Sequence, residues 1–138
     1  MLVLTIIVAY LLGSIPTGYI FARLLRGIDI RSFGSGNFGA TNVFRVVSPA
    51  AGVAVLVLDI LKGVISVTVL ADYALNSSAG LDPVLVRLVL GVVAVCGHNW
   101  TAFLKFKGGK GVATTAGALL GLSFKIPELG LIAGLCLG

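Results

Sequence analysis

The run from Gly52 to Leu70 constrains this chain more than any other stretch, because its only charged residues are Asp59 and Lys62. A segment this long and apolar, once in lipid, has no water to hydrogen-bond its backbone. It must pair its own N–H and C=O groups as a helix. Similar runs recur. Met1 to Leu25 is mostly apolar apart from the interruption Gly13-Ser14-Ile15-Pro16-Thr17-Gly18. Val84 to Val95 forms the core of a third segment. Val112 to Phe124 is apolar and glycine-rich but short for a straight span, which suits a short helix or a half-helix whose N-terminus faces a site. A turn around Pro127, flanked by Lys125 and Glu128, leads into a last apolar segment, Leu129 to Gly138. That segment reaches about half the length of a span, which implies a sequence that continues. The expected fold is an all-α integral membrane protein, a polytopic helical bundle forming one transmembrane domain over 1–138, incomplete at its C-terminus.

Composition excludes the alternatives. Hydrophobic residues make up 58% and charged residues 11%, with a mean hydropathy of +1.12. A soluble domain carries about 25% charged residues, so this chain cannot coat a globule with polar surface. The net charge of +5 is better explained by basic cytoplasmic loops than by nucleic-acid binding, and no nucleic acid is expected as a partner. The lipid bilayer is. Nineteen glycines let membrane helices approach closely. Cys96 and Cys136 sit in apolar surroundings without metal or disulfide spacing, so they read as packing residues and no metal is expected. The N-terminus lacks a basic leader and an A-x-A cleavage site, so it is kept as part of the mature protein. Asn76-Ser77-Ser78 matches a glycosylation sequon only formally.

The polar residues inside the apolar runs carry the remaining expectations. Pro16 kinks the first span, with Ser14 and Thr17 placed to satisfy part of the freed backbone. Asp59 and Lys62, at i and i+3, share a helix face; a structural ion pair and the floor of a polar site are equally compatible with that. Arg87 is expected to snorkel to the surface.

Two glycine-rich stretches stand between the spans. Lys105-Phe106-Lys107-Gly108-Gly109-Lys110-Gly111 combines three lysines with three glycines just before an apolar helix. Exposed N–H groups and a helix N-terminus make a concave anion site, and lysine adds full charge. The second, Gly34-Ser35-Gly36-Asn37-Phe38-Gly39-Ala40-Thr41-Asn42-Val43-Phe44-Arg45, supplies hydroxyls, amides and a guanidinium suited to phosphate. Thr41 or Asn42 is expected to cap a short helix that carries Arg45. His98, the only histidine, lies close to the lysine loop in sequence. A lone histidine is more often packed than catalytic, but this placement at a membrane boundary favours function.

Arg23, Arg26, Arg31 and Arg45 fall in or beside the first loop, and Lys105, Lys107 and Lys110 fall in the third. The second loop, Ala71 to Pro83, has no Lys or Arg, and the fourth has only Lys125. The positive-inside rule therefore puts the N-terminus outside and both glycine-rich loops, 26–50 and 105–111, in the cytoplasm. Two anion patterns on one side imply a shared site.

Five patterns in register now carry a resemblance: Gly13-Ser14-Ile15-Pro16-Thr17-Gly18, Gly34 through Arg45, Asp59-Ile60-Leu61-Lys62-Gly63, Gly97-His98-Asn99, and Lys107-Gly108-Gly109-Lys110-Gly111-Val112-Ala113-Thr114. Together they resemble the bacterial acyl-phosphate:glycerol-3-phosphate acyltransferases, the PlsY family, across essentially the whole chain. Phe38 and Thr101 stand where that family often has proline. The resemblance implies a seven-helix bundle, of which about four to five helices are represented here, in the bacterial inner membrane. It implies transfer of an acyl group from acyl phosphate to the 1-hydroxyl of sn-glycerol 3-phosphate, giving lysophosphatidic acid and phosphate, with no cofactor. His98, Lys110 and Arg45 are then the expected catalytic residues, with His98 either the general base or a group that only positions substrate while a substrate phosphate takes the proton. Ser35, Gly36, Asn37, Gly39, Thr41, Asn42, Arg45, Asn99, Lys107, Gly108, Gly109, Lys110, Gly111 and Thr114 are then expected to bind substrate. Lys105 is as well explained by a solvated interfacial charge. The rival reading is a transporter for a phosphorylated solute, which short and kinked helices beside polar residues would suit.

Overall fold

A computed structural model describes residues 1–127, all of whose regular elements are helical. The helices are α1 (Leu2–Ser14), α2 (Thr17–Arg26), α3 (Ala40–Val46), α4 (Pro49–Ile65), α5 (Ala71–Ser77), α6 (Pro83–Asn99) and α7 (Val112–Lys125). Three continuous stretches are long and apolar enough to cross a membrane: Leu2–Arg26, Pro49–Ser77 and Pro83–Leu104. The fourth, α7, is a short helix, as its length implies. The expected segment from Leu129 onward, with Glu128 and Cys136, lies outside the described residues.

Local chemistry sets the helix ends. α4 starts at Ser48-Pro49 and α6 at Asp82-Pro83; the Ser48 and Asp82 side chains accept from the N–H groups of Ala51 and Leu85, and proline occupies the first turn where no donor is needed. The second span extends further than the sequence implied. A π-helical turn, Ser66–Leu70, joins α4 to α5, so what reads as a polar loop from Ala71 begins as helix and turns only after Ser77. Arg87 does not snorkel. It is 8% exposed and donates to the Val67 carbonyl in that turn at 2.7 Å and to Asp72 at 2.6 Å, and Lys125 closes the cluster on the other Asp72 oxygen at 2.5 Å. A π turn misaligns its carbonyls with the following N–H groups, and a buried guanidinium is the donor that satisfies one of them.

The bundle is packed through small residues. α1 lies along α6, where a Cβ on Gly13 would strike the Ala94 backbone and one on Gly97 the Tyr10 carbonyl. α4 lies along α7, where Gly63 and Gly117 meet the backbones of Thr114 and Ile60. Backbones this close gain dispersion contacts that lipid cannot supply. Large apolar side chains such as Leu24, Val53, Val92 and Leu119 point outward, as a lipid-facing surface requires.

The joint between α1 and α2 ties the two pairs together. Pro16 breaks the helix as expected, but Ser14 and Thr17 do not repair the break. The freed Ser14 carbonyl accepts from the Thr101 hydroxyl and the Ile15 carbonyl from Lys62 Nζ at 2.5 Å. Ser14 and Thr17 instead reach out, to the Gly97 carbonyl at 3.2 Å and to Asp59 Oδ1 at 2.6 Å. The kink is therefore the hub at which α1, α4 and α6 are joined by hydrogen bonds.

Candidate functional site: a cationic cavity between two glycine-rich loops

The first glycine-rich loop folds around Asn42. Its buried amide donates to the carbonyls of Asn37 (2.7 Å) and Phe33 (3.0 Å), and its Oδ1 accepts from the Ser35 N–H at 3.2 Å. Asn37 Oδ1 accepts from the Gly39 N–H at 2.7 Å. Gly34 and Gly36 have φ of 56° and 73°, a left-handed backbone that glycine adopts without strain. The helix carrying Arg45 forms, but Gly39 occupies its N-cap position and neither Thr41 nor Asn42 caps it. Asn42 holds the loop's shape from within α3, and the helix has no side-chain cap because its N-cap residue is a glycine.

The lysine loop is held from the other side. The Gly109 N–H donates to the His98 carbonyl at 3.0 Å. Lys105 and Phe106 both take left-handed backbone, with φ of 55° and 60°, a conformation that costs non-glycine residues of order 1 kcal/mol each. The Thr101 carbonyl secures that turn by accepting from the Phe106 N–H at 2.9 Å. Gly111, with φ 69°, turns the chain into α7.

Two cavities open where the loops meet. The larger set of lining residues surrounds about 410 Å³ and includes Ser35, Asn37, Gly39, Thr41, Asn42, Arg45, Asp59, His98, Lys110 and Gly111, with an apolar wall of Leu56, Ile60, Val112, Ala113 and Ala116. The second, about 400 Å³, is lined by Asp29, Arg31, Ser32, Gly36, Phe38, Lys107 and Gly108. The expected residues are thus divided. Nine line the first cavity, while Gly36, Lys107 and Gly108 line the second. Asn99, Gly109 and Thr114 line neither but stand just behind. A Cβ on Gly111 would meet Asn99 Oδ1, and one on Gly109 would meet His98 Nε2; Asn99 Oδ1 and Thr114 Oγ1 are buried without a partner among the described residues. Lys105 is exposed and lines neither.

Electrostatics distinguish the cations. Arg31 is paired with Asp29 at 2.7 Å and lies over the Tyr19 ring, and its guanidinium hydrogen bond lowers the Asp29 carboxyl to about 2. Arg26 donates to the Val47 carbonyl at 2.8 Å. Arg45, Lys107 and Lys110, by contrast, make no ion pair among the described residues. Two of these unpaired cations face the first cavity beside the N-terminus of α7, an arrangement suited to a phosphate.

Beneath them lies a buried ionic cluster. Asp59 (1% exposed) and Lys62 (4%) pair at 2.7 Å, and His98 (3%) places Nδ1 3.8 Å from Asp59 Oδ1. The Phe38 ring packs on the imidazole with centroids 5.6 Å apart. Asp59 is thus both half of an ion pair and part of the cavity wall. The i, i+3 spacing signalled the first role, but nothing in sequence separated it from the second. Asp29 and Arg31 also line a cavity, a role that no motif in the sequence signals.

Fold and site define a class: a multi-pass membrane protein with a cationic, glycine-walled cavity at the end of its bundle. The chain belongs to the glycerol-3-phosphate acyltransferase family, whose sequence model matches residues 3–137. It is 49% identical over 131 residues to the glycerol-3-phosphate acyltransferase of Thermoanaerobacter sp. (strain X514), covering 95% of this chain and 61% of that one. It is 52% identical over 123 residues to glycerol-3-phosphate acyltransferase 2 of Moorella thermoacetica, covering 89% and 59%. Among solved structures it resembles the glycerol 3-phosphate form of PlsY, an integral membrane glycerol 3-phosphate acyltransferase, with a TM-score of 0.76 and 40% identity over 99% of this chain and 64% of that one. The lysophosphatidic acid form gives 0.73 and 40% over 95% and 61%. The chain therefore spans about three-fifths of the length of the relatives it matches. These comparisons give the transporter reading no support.

Proposed function

We propose that this chain forms the substrate-binding part of a bacterial inner-membrane acyltransferase that moves an acyl group from acyl phosphate to the 1-hydroxyl of sn-glycerol 3-phosphate. The observation that carries the proposal is the pairing of Arg45 with Lys110 in one cavity, neither held by a carboxylate among the described residues. The family relatives act as glycerol-3-phosphate acyltransferases by name. The adjoining cavity with Arg31 and Lys107 suits a reaction in which two phosphate-bearing molecules must come together.

The hydroxyl oxygen attacks the acyl carbonyl carbon, the bond from that carbon to the phosphate oxygen breaks, and phosphate departs. The donor is already activated, so the protein needs no nucleophile of its own. The main obstacle is to bring two anions together. Arg45, Lys107, Lys110 and the loop N–H groups offset it with charge held in place before the substrates arrive. Ser35, Asn37 and Thr41 position phosphate oxygens from the first loop. Asn42 lines the cavity and holds the first loop through its backbone, and Asn99 stands against Gly111 of the lysine loop. The hydroxyl proton passes to a substrate phosphate, and His98 positions substrate from the cavity wall. The apolar wall of Leu56, Ile60, Val112, Ala113 and Ala116 faces the start of the acyl chain. The basic residues of both loops support a cytoplasmic site with the N-terminus outside.

The test is to supply the full-length protein, in detergent or vesicles, with acyl phosphate and sn-glycerol 3-phosphate. Lysophosphatidic acid and phosphate are expected in equal amounts. Uptake of glycerol 3-phosphate into vesicles without acyl transfer would overturn the proposal.

A further inference from the structure

The turn between α6 and the lysine loop displays more aromatic surface than a loop in water should. α6 and the 3₁₀ turn Ala102–Leu104 make one apolar stretch of 22 residues, Pro83–Leu104, about the length that spans a bilayer's hydrocarbon core. The residues at its end therefore stand at the membrane boundary, on the side of the two glycine-rich loops. There Trp100, Phe103 and Phe106 are 55%, 58% and 62% exposed. Lys105 and Lys107 alternate with the last of them and are exposed too. Leu104 alone goes inward, into the core that holds Ile30, Phe38 and Val43. The backbone is bent to make this display. Lys105 and Phe106 both take left-handed backbone, which residues with a Cβ avoid. Thr101 holds the bend: its hydroxyl accepts from the Phe103 N–H at 3.3 Å and its carbonyl from the Phe106 N–H at 2.9 Å. The Leu104 carbonyl accepts from the Lys107 N–H at 3.2 Å. The turn is thus built as one piece with the start of the lysine loop, so what holds the turn also holds the loop.

We infer that the turn over residues 100–106 is an interfacial anchor: its aromatic side chains lie in the headgroup layer of the bilayer, Lys105 meets the phosphate of an anionic lipid there, and the lysine loop is held at headgroup depth. Three observations favour the bilayer over a protein as the occupant of this patch. The patch continues the outward-facing apolar residues of α6, among them Val89 and Val92. It interleaves aromatic residues with lysines, a mixture that suits the boundary between membrane and water, whereas protein–protein interfaces are depleted in lysine. Its charge is positive, which complements the anionic lipids of a cytoplasmic leaflet. The anchor also has a consequence for the substrate, which rests on the proposed acyl donor. Acyl phosphate carries its chain in the bilayer and its phosphate among the headgroups. A loop fixed at that depth meets the phosphate without drawing the chain out of lipid.

The first test measures depth and needs no activity. Phe103→Trp and Phe106→Trp are made singly in the full-length protein, with every other tryptophan replaced by phenylalanine, and placed in nanodiscs of phosphatidylcholine and phosphatidylglycerol. Fluorescence is quenched with lipids brominated near the headgroup end or near the methyl end of the chain, and with acrylamide in the water. Both tryptophans are expected to be quenched more by the shallow bromines than by the deep ones, and only weakly by acrylamide. Strong acrylamide quenching without an effect of brominated lipid puts the turn in water, and shielding from both puts it under protein; either result overturns the inference. The second test uses the double variant Phe103→Ser with Phe106→Ser, whose fold is checked by thermal melting. Its KM for acyl phosphate is expected to rise about tenfold, with KM for sn-glycerol 3-phosphate within about threefold of wild type. Lys105→Glu is expected to raise the KM for acyl phosphate in discs with phosphatidylglycerol more than in discs of phosphatidylcholine alone. An unchanged KM in the double variant overturns the anchor's part in meeting the substrate, and an equal effect of Lys105→Glu in both lipids overturns the anionic-lipid contact. If the wild type transfers no acyl group, the proposed reaction falls, and the quenching pattern still decides whether the turn is anchored.

Discussion

Replacing Lys62 by methionine should be among the most damaging changes the bundle can suffer, although Lys62 faces neither lipid nor the cavity. The substitution nearly preserves volume, so the cost is electrostatic and not a matter of packing. Three interactions disappear at once: the 2.7 Å pair with Asp59, the 2.5 Å bond to the Ile15 carbonyl and the 3.4 Å contact with Thr17. Asp59, 1% exposed, is left buried without its counter-ion and with only the Thr17 hydroxyl as donor. Breaking a buried ion pair from one side costs about 3–5 kcal/mol, at least roughly 10²-fold in the unfolding equilibrium. Asp59→Asn should cost a similar amount, while the double variant should recover most of the loss. The assay is reversible unfolding in mixed micelles for all four proteins, read as a double-mutant cycle. A coupling energy of about 2 kcal/mol or more between the two sites is expected. A coupling near zero, or a Lys62→Met protein as stable as wild type, would show that the cluster does not hold α1 to α4 as described.

The remaining predictions concern the loops and the helix contacts. Gly109→Ala should leave the protein folded but lower kcat, because the added Cβ must displace His98 Nε2; thermal melting and initial rates separate the two effects. Gly97→Ala forces α1 away from α6 at the Tyr10 carbonyl and should cost about 1–3 kcal/mol, measured by the same unfolding assay. The Asp29 carboxyl is lowered from 3.8 to about 2 by Arg31. A depressed carboxylate contributes above its unfolded value and loses that contribution as pH falls through the folded one, so the Asp29–Arg31 pair should persist at pH 4 and open near pH 2. Carboxyl ¹³C shifts of Asp29 report this directly, and a midpoint near 3.8 would contradict the geometry.

The spans were legible because lipid leaves the backbone few choices: apolar runs become helices, and single glycines within them become close helix contacts. The two glycine-rich loops were legible as a candidate site because glycine clusters and cations have few structural uses inside a membrane chain. What sequence did not give was how polar groups cross between helices. Ser14 and Thr17 looked like local repairs of the Pro16 kink, yet the repairs come from Thr101 and Lys62, far along the chain. Arg87 looked like a snorkelling residue because nothing in sequence announced the π turn whose carbonyl it satisfies. Asn42 looked like a helix cap, and its side chain instead serves the loop before it. Each of these partners is set by tertiary packing, which periodicity does not encode. The division of the glycine-rich residues between two cavities has the same origin.

The account stands on two loops building one cationic site, and the most direct test removes its unpaired charges singly. Arg45→Ala and Lys110→Ala are made in the full-length protein, their fold is checked by thermal melting, and lysophosphatidic acid formed from acyl phosphate and sn-glycerol 3-phosphate is measured. Each variant should stay folded, since neither residue makes an ion pair among the described residues, and each should lose about 10²–10³-fold in rate. Near-normal rates in both folded variants would contradict the central claim.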